Sequence, residues 1–224
     1  MDLTATETYS FISRYSNIFW DFDGVIKDSL EVKSKAFYAL FSPFGEDVAV
    51  KIVQHHEKNG GVSRFEKIPI YLEWSGITPE KCSIQHYCDK FSELVVEAVI
   101  NSNWVDGVYD FIKSNYCKHN FFLVSATPQE EIEFICEKLN LTDNFLSIHG
   151  SPYKKFDVVS QLLLDYECQP SQALFIGDAV SDMFAAQSNG IEFLLKKTVL
   201  NSDLQHSYNG PKWSSIANES ACRD

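Results

Sequence analysis

Apolar and polar positions along this chain follow two periods, one of strands and one of helices. The run Asn17-Ile18-Phe19-Trp20 is short and apolar, as in a buried strand, and it ends abruptly in Asp21-Phe22-Asp23-Gly24 before Val25-Ile26. Alternation along an extended segment puts Asp21 and Asp23 on one side and Phe22 on the other, so two acids converge at the strand's carboxyl end. Gly24 removes a side chain where backbone N–H groups are expected to approach a ligand. Asp28 and Ser29 are N-cap candidates for a helix through Phe41 that buries Ala36, Phe37, Leu40 and Phe41. Residues 29–102 then show only helical patterns, broken at Ser42-Pro43, Asn59-Gly60-Gly61 and Ser75-Gly76, with Thr78-Pro79-Glu80 predicting a capped helix start.

From Trp104 the period changes to short apolar runs alternating with helices, which predicts β-α units and a parallel sheet. A helix over roughly 107–116 precedes the strand Phe121-Phe122-Leu123-Val124-Ser125. Thr127-Pro128-Gln129-Glu130 predicts a capping box opening a helix with Ile132, Ile135 and Leu139 inward. Further strands are predicted from Phe145 to Ile148, from Ala173 to Gly177 and from Ile191 to Leu195, separated by helices over 156–166 and through Asp182, Ala185 and Ala186. The fold class is therefore α/β, a three-layer parallel-sheet (Rossmann-like) core built from residues 15–28 and 103–200. Residues 29–102 form an inserted helical subdomain, and 1–14 and 201–224 are terminal extensions, the second a loosely attached polar tail.

Composition narrows the functions. With 45% hydrophobic residues and 224 residues in all, the chain can bury a full core. Its net charge of −12, without a basic cluster, argues against a nucleic-acid or membrane-surface partner. Six cysteines (Cys82, Cys88, Cys117, Cys136, Cys168, Cys222) contain no C-x-x-C pair, so reduced thiols are expected in place of a zinc site or disulfide framework. The start is polar and acidic and no run is long enough to span a bilayer, which predicts a cytoplasmic protein, monomeric or a homodimer.

Three predicted strands end in polar residues of complementary type: Asp21 with Asp23, Ser125, and Asp178, with Lys154-Lys155 in the loop between the last two. A parallel sheet brings those ends to one edge. A carboxylate nucleophile, a second acid, a hydroxyl, a lysine and a further acid suit phosphoryl transfer, in which cations neutralise charge on the transferred group.

These residues, in this order, resemble the four motifs of the haloacid dehalogenase-like hydrolases: Asp21-Phe22-Asp23-Gly24-Val25, Ser125 after its strand, a lysine near 155, and Gly177-Asp178-Ala179-Val180-Ser181-Asp182. The resemblance covers roughly residues 15–196. The segment 29–102 resembles the inserted cap of the phosphoglycolate phosphatase and beta-phosphoglucomutase branch, with Gly61-Val62-Ser63-Arg64 and Leu123-Val124-Ser125-Ala126 in support. The resemblance implies that Asp21 attacks phosphorus to form an aspartyl-phosphate, and that Asp23 protonates the leaving oxygen and then activates water. It implies Mg2+ on the Asp21 carboxylate, the main-chain carbonyl of Asp23 and the Asp178 carboxylate. Ser125, the Ala126 N–H and a lysine would hold phosphate oxygens, and Asp182 would orient the lysine or a metal-bound water.

Two departures from the family pattern stand out. Ser-Pro-Tyr-Lys-Lys replaces the common lysine motif, leaving Lys154 and Lys155 as candidates, Lys155 preferred because it stands just before an apolar helix. Ala179 follows the metal acid where a hydroxyl is frequent. His55-His56 point about 100° apart on a helix and read as solvated surface rather than as a metal site. For Arg64 a surface ion pair and a substrate contact both fit. Lys33, one turn past Ser29, is placed to face the site from the first inserted helix, but ordinary exposure is the preferred reading, and Trp20, Trp74 and Trp104 read as packing residues. The expected function is a Mg2+-dependent phosphatase acting on a small phosphorylated metabolite. A sugar-phosphate mutase resembling beta-phosphoglucomutase is the alternative enzyme, and a catalytically silent binding protein is the alternative of another class. A dehalogenase is disfavoured because Asp23, as leaving-group acid, would have no task.

Overall fold

The computed structural model describes residues 1–217; Cys222 and the end of the tail lie outside the described residues. In chain order the elements are α1 (Ala5–Ile12), β1 (Asn17–Trp20), α2 (Leu30–Phe41), α3 (Glu46–Lys58), α4 (Arg64–Trp74), α5 (Lys81–Asn101), α6 (Val108–Asn115), β2 (Asn120–Pro128), α7 (Gln129–Lys138) and β3 (Ser147–Ser151). They continue as α8 (Lys155–Asp165), β4 (Ala173–Gly177), α9 (Val180–Ser188), β5 (Glu192–Lys196), α10 (Ser202–Ser207) and β6 (Lys212–Trp213).

The strands form one parallel sheet in the order β3-β2-β1-β4-β5-β6. β1 is central, with Ile18 opposite both Phe121 and Leu174, which is why all four of its residues are buried and apolar alternation is lost there. Successive side chains serve opposite faces. Ile18, Trp20, Phe121 and Leu174 pack with Ile12 of α1, Phe111 and Ile112 of α6 and Ile132 and Ile135 of α7. Phe19, Phe122, Phe175 and Phe193 pack with Val158 and Leu162 of α8, Ala185 and Ala186 of α9 and Leu204 of α10. Phe19 stacks on Phe122 at 4.9 Å and on Phe175 at 6.4 Å, an aromatic ladder across three strands in which each pair adds about 0.5–1.5 kcal/mol beyond its burial. The result is three layers, and the strand order reverses between β1 and β4, the switch point at which ligands bind in open parallel sheets.

Helices α2 to α5 stand between β1 and β2 in sequence and pack mainly on one another. The chain leaves for them and returns from them at one place: Val105 N–H donates to the Ile26 carbonyl at 3.0 Å and Asp28 N–H to that of Asn103 at 2.8 Å. Lys27 fastens this crossing by donating to the Ile100 carbonyl at 3.0 Å, with its ammonium 4.3 Å from the centre of the Trp104 ring.

Four local expectations change. Ser29 precedes α2 as expected, but its hydroxyl makes no cap and donates to Asp23 at 2.6 Å. α5 begins at Lys81 after Glu80, so Pro79 lies ahead of the helix. β2 runs on through Thr127 to Pro128, so the predicted capping box does not form; the proline is accommodated as the last residue of the strand, past a register shift against β3. Residues 201–217 are not loose. Trp213 is 1% exposed and Ile216 3%, β6 pairs with β5, and the Lys212 carbonyl accepts from Leu3 N–H at 2.8 Å, which ties this segment and the start of the chain to the sheet edge. Its polar composition concealed the few apolar side chains that anchor it.

Candidate active site

The carboxyl ends of β1, β2 and β4 carry the expected residues to one edge. Asp21 follows β1, with its N–H bonded to the Ile176 carbonyl of β4 at 2.9 Å, and it is buried beside Asp178 at the end of β4. Carboxylate oxygens of Asp21, Asp178 and Asp182 lie within 4.8 Å of one another. One cation faces them: Lys155, the first residue of α8, stands 2.6 Å from Asp21 Oδ1 and 2.6 Å from Asp182 Oδ1. Lys154 is exposed, so the geometry selects Lys155 from the pair.

Asp182 is fully engaged. Its second oxygen accepts from the N–H groups of Asp178 at 3.1 Å and Ala179 at 3.0 Å, capping α9 and fixing the loop that carries Asp178. Burial, with Asp182 next, pushes the Asp21 carboxyl up to about 7 against the pull of Lys155. Burial and then Asp21 also hold Asp178 well above the ordinary carboxylate range. For Lys155 burial favours the neutral amine, but Asp182 and Asp21 outweigh it and the ammonium is raised.

Asp23 sits apart from this cluster in a polar clasp. Its carboxylate pairs with Lys33 of α2 and accepts from Ser29 Oγ at 2.6 Å and from Thr127 Oγ1 at 3.2 Å. Burial alone would raise Asp23; Lys33, Ser29 and Thr127 prevail and lower it. Lys33 is therefore not the exposed residue expected from sequence. It donates to Thr127 Oγ1 at 3.0 Å as well, joining α2 to the end of β2. Thr127 is the residue that sequence reasoning missed. Two positions past Ser125 in a strand that continues, it faces the same way, and that period-2 spacing was the available signal. Ser125 is buried, with its hydroxyl accepting from Thr127 N–H at 3.1 Å, and Ala126 and Thr127 line the cavity above.

Gly24 does not offer its N–H to a ligand, since that group donates to the Lys27 carbonyl at 2.7 Å. It is needed because φ is +78° and a Cβ would stand 2.6 Å from Asp178 Oδ2.

The cavity over these residues measures about 740 Å³ and is walled by the sheet edge on one side and by α2, α3, α4 and the α3–α4 loop on the other. Gly61 of that loop, at φ +73°, lies where a Cβ would meet Ser181 Oγ at 2.1 Å, so the inserted helices touch the start of α9 directly. Arg64 borders the cavity, yet its guanidinium is committed: it holds both oxygens of Glu131 on α7, at 2.9 and 2.6 Å, and donates to Ser92 at 2.6 Å. It is neither a surface ion pair nor a free substrate cation, because α4, α5 and α7 enclose it. Arg64→Ala leaves Glu131 buried without its partner and is expected to cost about 3–5 kcal/mol in urea unfolding, whereas replacing both residues by Met and Leu restores most of it.

The histidines are corrected too. His55 Nδ1 meets the Tyr71 hydroxyl at 3.0 Å, and His56 lines the cavity against the Phe37 ring, so neither is solvated surface. All five described cysteines are free, and no helix among the described residues is long and apolar enough to cross a membrane.

The fold has many solved relatives. A haloacid dehalogenase-like family hydrolase from Streptococcus pneumoniae matches with a TM-score of 0.68 at 20% identity, over 90% of this chain and 94% of that one. A predicted phosphoglycolate phosphatase from Haemophilus somnus matches at 0.68 and 15% identity, over 89% and 94%. The beta-phosphoglucomutase of Clostridium difficile matches at 0.68 and 18%, over 84% and 87%. At such identities the likeness is one of fold. No curated protein sequence gives a significant match. The family model described as haloacid dehalogenase-like hydrolase matches residues 18–196, from the first buried strand through the whole insertion to the end of β5, and the chain belongs to that family.

Proposed function

We propose that this chain is a divalent-metal-dependent phosphatase of a small phosphorylated metabolite, with Asp21 as nucleophile. The observation that carries the reading is the Asp21 carboxylate, buried at the foot of the cavity with Oδ1 held by Lys155 and Oδ2 left to react. Oδ2 attacks phosphorus, the bond to the leaving oxygen breaks, and Asp23 supplies that oxygen with a proton. Asp23 then takes a proton from water, which attacks the aspartyl-phosphate, releases phosphate and frees Asp21. In the structure Lys33 holds Asp23 as a base, the form needed for the second half; the acid half requires that contact to break. Ser125, the Ala126 N–H and Lys155 are the proposed holders of the phosphoryl oxygens.

The donor set fits a small hard cation. Three clustered acids face one lysine, and both Asp182 oxygens are taken, which leaves the carboxylates of Asp21 and Asp178 as oxygen donors with excess negative charge. The Asp23 carboxylate is occupied elsewhere, so that residue would contribute its main-chain carbonyl. Mg2+ bound there would neutralise charge on the transferred phosphoryl group. Chelator-treated protein should release no phosphate from a panel of phosphomonoesters, recover with Mg2+ and recover poorly with Ca2+, which prefers longer bonds and more ligands. Equal rates with both ions would count against the site. A sugar-phosphate mutase would instead convert glucose 1-phosphate to glucose 6-phosphate only with a sugar bisphosphate present, and a silent binding protein would give neither product.

A further inference from the structure

Lys67, on α4, is 2% exposed and lies on the cavity wall. Each of the other interior lysines has an answering group: Lys155 has Asp21 and Asp182, Lys33 has Asp23, and Lys27 and Lys196 each have a main-chain carbonyl and a tryptophan face. Lys67 has none of opposite charge among the described residues. Its Nζ meets His56 Nδ1 at 3.1 Å and the His56 carbonyl only at 3.5 Å. Glu66, beside it in sequence, is exposed, and Glu57 on the same cavity wall accepts from Ser34 Oγ at 2.9 Å. An ammonium buried without a counter-charge is unfavourable unless something else brings the charge. His56, accepting at Nδ1 as a neutral imidazole, carries its proton on Nε2 and adds a second donor to the same wall.

Lys33, which pairs with Asp23, and Lys67 line the same cavity. Lys67 on α4 and His56 on α3 stand on the inserted-helix wall of the cavity, across from the sheet edge that carries Asp21, so a substrate with its phosphoryl group at Asp21 turns its departing part toward them. Burial, with Lys33 next, brings its ammonium down to about 7, so an arriving anion would draw a proton onto it.

We propose that Lys67 and His56 form a subsite for a second anionic group, carboxylate or phosphate, on the part of the substrate that departs from phosphorus. This rests on the phosphatase reading, which places the first phosphate at Asp21. The test is calorimetric binding, with Mg2+ present, of two matched pairs that cannot be hydrolysed: ethylphosphonate against phosphonoacetate, and propylphosphonate against propane-1,3-diyl bisphosphonate. Wild type should bind the doubly anionic member of one pair roughly tenfold or more tightly, as a buried charge-assisted contact supplies. That preference should vanish in Lys67→Met and in Lys67→Gln and largely persist in Lys67→Arg. Preference within the first pair identifies a carboxylate, within the second a phosphate. Removing an uncompensated buried charge should leave Lys67→Met melting no lower than wild type. A preference seen without phosphate release from any ester supports the subsite and overturns only the phosphatase reading. Equal affinities within both pairs, or a preference that survives Lys67→Met, overturns the subsite.

Discussion

Asp21→Asn should abolish turnover, by roughly four orders of magnitude or more, while the protein stays folded and melts higher than wild type in chelator at pH 8. An amide is a poor nucleophile and a poor metal donor, but it keeps the shape of the carboxylate and an oxygen for Lys155 to bind. The stability gain follows from linkage. The folded Asp21 carboxyl sits at about 7 because of burial and Asp182, above the unfolded value of 3.8. Above pH 7 both states are ionised and the fold bears the whole cost of the buried charge; as pH falls from 7 toward 4 the folded state takes up a proton and the cost disappears. Asparagine never bears it. The melting difference, a few kcal/mol at most, should therefore be largest at pH 8 and shrink toward pH 5. Activity within tenfold of wild type would end the covalent reading, and a gap that widens on acidification would show that Asp21 is not the strained acid.

Asp21, Ser125 and Asp178 were legible because each is a polar residue placed at or just beyond a buried apolar run, where chance would put a turn and a parallel sheet puts its ligand edge; Lys155 was read from its place before an apolar helix, and Asp182 only from the family resemblance. The parallel sheet itself was legible from the β-α alternation. Its order was not, since no pattern along the chain says that β1 stands between β2 and β4. Lys33 was passed over and Thr127 stayed hidden for a related reason: both lie in segments whose local pattern had a sufficient ordinary explanation, an exposed helix face and a capping box. Only the approach of α2 to the end of β2 turns them into the clasp around Asp23. Arg64 and Lys67 show the same limit. Three residues apart on α4, one finds Glu131 and the other finds no acid, and nothing local distinguishes them. The tail was misread because two or three apolar anchors suffice to pack a polar segment against a sheet edge.

Lys155→Met should be the most destabilising single change at the site, costing about 3–5 kcal/mol in urea with chelator present, whereas Lys154→Met should stay within about 0.5 kcal/mol of wild type. Methionine fits the space and buries apolar surface worth about 1–2 kcal/mol. The charge effect is larger, because Lys155 is the cation facing three buried acids, 2.6 Å from two of them. Asp182 keeps its backbone donors, but Asp21 loses the contact that holds Oδ1. A divalent cation supplies part of the missing positive charge, so Mg2+ should raise the unfolding midpoint of Lys155→Met by more than it raises that of wild type. Activity should not return with it, since the metal cannot also replace a donor to the phosphoryl oxygens. Equal losses for the two lysine variants would show that neither ammonium holds the acid cluster together, and a Mg2+ shift no larger in Lys155→Met than in wild type would show that the excess negative charge at Asp21 and Asp178 is not what the cation answers.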